Sequence, residues 1–196
     1  MKATIRAGAF LVLSALLLPA APAEKAGLPV LLTSCGQSPG PVKMVVFLKK
    51  LGLDHVSNPQ ATAKDLAAKK SSGAPFKSLI VVTGASLKGM GAAGVSINDE
   101  IARTKALIEE AKKQGVRVIG AHIEGMARRS QGAAAGDTSD EQSIDAVCPN
   151  SSLMIVRKDG NADGRFTNIS KARNVPLIEF EKNLELEQVL AGVFGK

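Results

Sequence analysis

Short, continuous apolar runs alternate with longer amphipathic segments along most of this chain, and that alternation constrains its fold more than any other feature. Ser78-Leu-Ile-Val-Val-Thr83 is the sharpest run. Four apolar residues in a row leave no polar face, so a strand here must be covered on both sides. Residues 28–33, 116–123, 153–156 and 175–180 read the same way, and 54–58 reads as a short edge strand. The segments between them carry helical spacing. Pro41 suits a first helical turn, Val42, Val45, Leu48 and Leu51 continue it, and Gly52 ends it. The pattern over 98–114 sets Ile101, Ile108 and Ala111 on one face, and Gly115 stops it. Further helices are expected over 62–70, 139–147, 164–173 and 183–194, while 84–94 and 125–137 read as glycine-rich loops. Strands alternating with helices imply right-handed βαβ units. The expected fold is α/β: a three-layer, doubly wound, mostly parallel sheet of five or six strands, Rossmann-like or flavodoxin-like.

Residues 1–23 stand apart. Lys2 and Arg6 precede an apolar run over 7–20, and Ala21-Pro22-Ala23 is a small-x-small cleavage site. This reads as a signal peptide, too short to be better explained as a spanning helix. The expectation is a single domain over 24–196, periplasmic or secreted, with no transmembrane segment after signal cleavage. Leu32-Thr-Ser-Cys35 also fits a lipobox, which would anchor the protein by a lipid on Cys35. Glu24 and Lys25 interrupt the apolar region before it, and cleavage there would remove the first strand. The other cysteine is Cys148. The strand layout puts the two at opposite edges of the sheet, too far apart for a disulfide.

The chain carries 25 basic and 18 acidic residues, for a net charge of +7. The positive charge is scattered in pairs, and there is no Trp or Tyr. Nucleic-acid binding needs a basic stripe, and single-strand binders add stacking aromatics, so that partner is excluded.

In an open α/β sheet the ligand site lies at the carboxyl ends of the strands. Cys35, Gly36, Gln37 and Ser38 lead into a helix N-terminus there, where amides and the helix dipole favour an anion. The same field is expected to lower the Cys35 pKa and make it a candidate nucleophile. Gly84, Ser86, Lys88 and Gly89 form a second wall. Gly89-Met-Gly-Ala-Ala-Gly94 matches GxGxxG, but it begins six residues after Thr83 instead of at the strand end, so no cofactor is assigned. His122 and Glu124 fall two apart on a strand and share a face, as an acid–base pair would. One His and one carboxylate are too few for a zinc site, and no metal is expected. Arg128 and Arg129 follow on the loop, placed to reach a ligand. Asp159-Gly-Asn-Ala-Asp-Gly164 is half of a calcium loop, yet Ser170 stands where a bidentate Glu belongs. A turn and helix cap is the preferred reading.

Leu32-Thr-Ser-Cys-Gly-Gln-Ser-Pro39, Gly89-Met-Gly-Ala-Ala-Gly94, His122-Ile-Glu-Gly-Met-Ala-Arg-Arg129 and Asp163-Gly-Arg-Phe166 together resemble a family of exported bacterial proteins known as domain of unknown function 6305. The resemblance spans nearly the whole chain after residue 23. It implies an exported α/β domain, brings no catalytic residues, and favours Cys35 as part of the folded domain. Three readings stay open. One is a binding module for a small anionic ligand, held by Cys35, Gly36, Gln37, Ser38, Gly84, Ser86, Lys88, Gly89, Glu124, Arg128 and Arg129. Another is a hydrolase or transferase with Cys35 as nucleophile and His122 or Glu124 as base. The third is a structural or partner-binding envelope protein. Nothing in the sequence sets the oligomeric state.

Overall fold

The computed structural model describes residues 25–129 and 138–196. The expected signal peptide and most of the expected loop over 125–137 lie outside the described residues. Six parallel strands form one sheet: β1 (Val30–Cys35), β2 (His55–Ser57), β3 (Ser78–Thr83), β4 (Arg117–His122), β5 (Leu153–Arg157) and β6 (Leu177–Phe180), in the order β2-β1-β3-β4-β5-β6. The crossovers carry α1 (Gly40–Lys50), α2 (Ala63–Ser71), α3 (Leu87–Ala93), α4 (Ile97–Gln114), α5 (Ser139–Val147) and α6 (Arg165–Arg173), and α7 (Asn183–Phe194) closes the chain. The doubly wound expectation is met. The direction of winding reverses between β1 and β3, which makes their carboxyl ends the switch point. No helix among the described residues is long and apolar enough to cross a membrane.

Alternation along β3 explains the three layers. Ile80 and Val82 join Leu32, Ile119 and Ile155 under Met44 and Leu48 of α1 and Leu186 and Leu190 of α7. Leu79 and Val81 point the other way, with Leu31 and Val118, to meet Leu66 of α2, Leu107 and Ala111 of α4, and Val147 of α5. A third cluster around Phe166 packs α6 on Met154 and Val156.

Two expectations are corrected. The stretch 84–94 is not all loop: it contains α3, whose cap Ser86 accepts from the Gly89 amide at 3.1 Å and whose Met90 is buried. Its glycines hid a helix that the cap and one anchor suffice to define. Strand β1 runs two residues later than expected. Pro29 lacks the N–H a ladder needs, and pairing begins after it.

Candidate functional site

The switch point is a clasp between two loops. Ser86 N–H donates to Gly36 O at 2.7 Å, and Gln37 bridges Ala85. Gly36 sits at φ +101, and a Cβ there would lie 2.6 Å from Gly84 O, so only glycine fits. Gly89, the first glycine of GxGxxG, packs its α-carbon on the Gln37 carbonyl. It is a packing glycine.

The amides that would cradle an anion here already have acceptors within the fold. Gly36 N–H donates to Glu100 Oε2 at 2.9 Å, and Gln37 Nε2 donates to the same atom at 2.9 Å. Ala85 N–H donates to Asp140 Oδ1 at 2.6 Å, Gly84 N–H to Ser143 Oγ at 3.0 Å, and Gly40 N–H to Ser38 Oγ at 3.2 Å. A carboxylate from α4 and another from α5 thus stand where an external anion would stand. Arg103 holds Glu100 from the next turn, with Nη2 to Oε2 at 2.9 Å. Sequence reasoning missed Glu100, Arg103 and Asp140. A signal existed: Glu100 and Thr104 fall at helical spacing with Leu107, Ile108 and Ala111 on the inward face of α4, and both are buried.

Cys35 ends β1 with no solvent exposure. Burial pushes its thiol up to about 11, only partly offset by a hydrogen bond with Thr104. This reverses the expected lowering by the helix field. Cys148 is also buried and free, and burial raises its thiol as well.

His122 is fully buried. Nε2 lies 3.0 Å from Gly125 O, which can only accept, so Nε2 carries the proton. Nδ1 then accepts from the Thr83 hydroxyl at 3.0 Å. Burial, the largest effect, lowers the ring to about 4, and it is neutral at pH 7. Glu124 does not share its face. Pairing ends at His122, and beyond it the chain turns: His122 packs against Phe166 of α6, whereas Glu124 meets Lys43 of α1 at 3.0 Å. Burial would raise the Glu124 carboxyl, but the Ser38 hydroxyl, Lys43 and Arg128 outweigh it and hold it below the ordinary range.

The two arginines part company. Arg128 lies over Gly84, with Nη1 donating to Ala85 O at 2.7 Å and Nε 3.6 Å from Glu124 Oε2. Arg129 turns inward to Glu141 at 2.5 Å, Asp163 at 2.6 Å and the Gly160 carbonyl, over the Phe166 ring. Glu141 also takes Arg165 at 2.7 Å. Arg129 is a core cation, not a ligand contact as expected. Lys88 points out from α3 and is exposed. Asp163 accepts from the Arg165 amide at 3.1 Å in the turn that leads into α6, and Asn161 Oδ1 accepts from the Phe166 amide of its first turn at 2.7 Å. The described residues contain no cluster of three or more His, Cys, Asp or Glu able to hold a metal.

The opposite, amino edge of the sheet holds a cavity of about 690 Å³. Lys25, Lys77, Lys112, Arg117 and Arg173 line it with Asn150, Ser151 and Ser152, and no acidic residue does among the described residues. Arg103, Arg128, Arg129, Arg157 and Arg165 each have a carboxylate partner. None of the five cavity cations has one among the described residues. Arg117 Nη1 is shielded from solvent, and no described group accepts from it.

A family model described as a domain of unknown function (DUF6305) matches residues 27–194. No curated protein matches the chain. Among solved structures, it is similar to a GDSL-like lipase from Bacteroides thetaiotaomicron, at 14% identity and TM-score 0.32, covering 76% of this chain and 66% of that one. A putative lipolytic protein of the G-D-S-L family from Desulfitobacterium hafniense has 15% identity and TM-score 0.34, covering 76% and 75%. A GDP-L-fucose synthetase from Naegleria fowleri bound to NADP has 10% identity and TM-score 0.36, covering 82% and 52%. The chain spans just under two thirds of the first and about half of the last. These likenesses concern α/β architecture alone.

Proposed function

The chain belongs to the DUF6305 family, and we propose that it is an exported, non-catalytic domain that binds a small anion in the cavity at the amino edge of its sheet. One observation carries this reading: five cations surround that cavity without a carboxylate partner among the described residues, in a molecule that pairs its other described arginines. The carbonyl ends of α4 and α6 also face this edge, and Lys112 and Arg173 in their last turns complement them. Lys25, Lys77 and Arg117 lie outside the helices, so positive charge remains after that compensation.

The carboxyl edge supports binding less well, because Glu100, Asp140, Ser143 and Ser38 already accept from its amides. The hydrolase reading asks Cys35 to ionise and His122 to accept a proton. Burial opposes the first, and the Gly125 and Thr83 hydrogen bonds oppose the second. Export rests on the charged start, apolar run and small-x-small end of residues 1–23.

The test is isothermal titration with inorganic phosphate at low ionic strength. Wild type should bind, with affinity falling as salt rises. Lys77→Gln/Arg117→Gln should weaken binding by about tenfold or more, and Lys88→Gln on the far edge should match wild type. Absence of binding, or equal affinity in the cavity double variant, overturns the proposal.

A further inference from the structure

We infer that the cavity takes an elongated, acyclic oligoanion, with several anionic groups along one chain, instead of a single compact anion. This rests on the anion-binding reading above and deepens it.

The cations are strung in a row. Lys77 precedes β3, Arg117 begins β4, and Arg173 ends the helix that leads into β6, while Lys25 lies against Gly195 at the end of α7. Those strands are separated in the sheet by β3-β4-β5-β6, three spacings of about 4.8 Å each, roughly 14 Å in all. A compact anion meets one or two positions of such a row. A chain of anionic groups running perpendicular to the strands meets each in turn. The volume of about 690 Å³ agrees, since pockets of about 300–1,000 Å³ hold drug-sized ligands.

The lining also says what the ligand lacks. Among the described residues no aromatic side chain lines the cavity, and none there stacks on a base or the face of a sugar ring. Ser151 and Ser152 donate their hydroxyls to the Val147 and Val118 carbonyls, and Asn150 donates its amide to the Ala146 carbonyl. Recognition falls to the cations. Repeated phosphates and repeated carboxylates on an acyclic backbone share the chemistry the row requires.

The experiment titrates the full chain with inorganic phosphate, with tripolyphosphate and with an oligoglutamate peptide, at matched ionic strength. At least one oligoanion should bind about tenfold or more tighter than phosphate, through simultaneous contacts. Whichever is tighter distinguishes a phosphate source from a carboxylate source. Lys77→Gln/Arg173→Gln, at the ends of the row, should cut that advantage to about threefold or less. Circular dichroism checks that the variant is folded, and if it is not, Lys77→Arg/Arg173→Lys, which keeps both charges, should bind as wild type does. Equal affinity for phosphate and both oligoanions overturns this inference and leaves anion binding intact. No binding of any of the three overturns both.

Discussion

Glu100 Oε2 stands 2.9 Å from the Gly36 amide, across 64 positions of sequence. One carboxylate on α4 thereby satisfies the amide at the exit of β1 and, through Arg103, ties in the Ser34 carbonyl at 2.6 Å. Glu100 is 1% exposed, so its charge has little water to fall back on. Glu100→Ala leaves a buried amide unsatisfied and Arg103 unpaired. It should destabilise the fold by about 3–5 kcal/mol in urea titration. Glu100→Gln keeps an acceptor for Gly36 and should cost less. Equal losses in the two variants would show that the contact is not the reason.

The His122 ring should make stability fall with acid. Its folded pKa of about 4 lies below the unfolded value near 6.5, because burial disfavours the charged ring. The stabilising effect of keeping the ring neutral is present above pH ~6.5 and is lost as pH falls from ~6.5 towards ~4, by about 3 kcal/mol. Below that window the lowered carboxyls of Glu124, Asp159 and Asp163 add their own loss. Denaturation midpoints measured from pH 7 to 4 should decline, and His122→Gln should flatten the decline. A wild-type profile already flat across that window would contradict a buried neutral imidazole.

Cys35 and Cys148 should resist thiol reagents in the native protein. Both are buried with raised thiols. Mass spectrometry after iodoacetamide at pH 8 should find neither labelled until denaturant is added. Cys35→Ala should fold, losing about 1–2 kcal/mol to the small cavity it leaves. Rapid native labelling of Cys35 would restore the nucleophile reading.

Arg129→Ala should be far more damaging than Arg128→Ala. The first strips the buried Glu141 of the buried one of its two arginine partners, and about 3–5 kcal/mol is expected. Arg128 is a quarter exposed, and its loss should cost about 1–2 kcal/mol. Comparable midpoints for the two variants in thermal melts would rule out the inward anchoring of Arg129.

Protein recovered from the cell envelope should begin at Glu24, as intact mass will show. A chain retaining Met1, or one acylated at Cys35, is incompatible with cleavage after Ala23.

Local features were readable from sequence to different depths. The bounds of β3, α5 and α7 coincide with the patterns that announced them, because apolar periodicity is a local property. The glycines of α3 obscured a helix that Ser86 caps. Nothing local separates Arg128 from Arg129: which one turns inward depends on Glu141 and Asp163, 12 and 34 positions away. His122 and Glu124 obeyed the two-residue rule only as long as the strand lasted, and it ends between them. The carboxyl edge looked like a binding site because its amides were visible in the sequence pattern and their acceptors were not.

The groups that close the switch point are side chains, not main chain. Glu100 and Asp140 seal it from α4 and α5, while the strands, the reversal of winding and the run of amides beneath them remain those of an open α/β crevice. The scaffold therefore stands two carboxylates and two hydroxyls, those of Ser143 and Ser38, away from an unfilled cradle. A descendant that lost them, and found stability elsewhere, would open this edge to a ligand without moving a single strand.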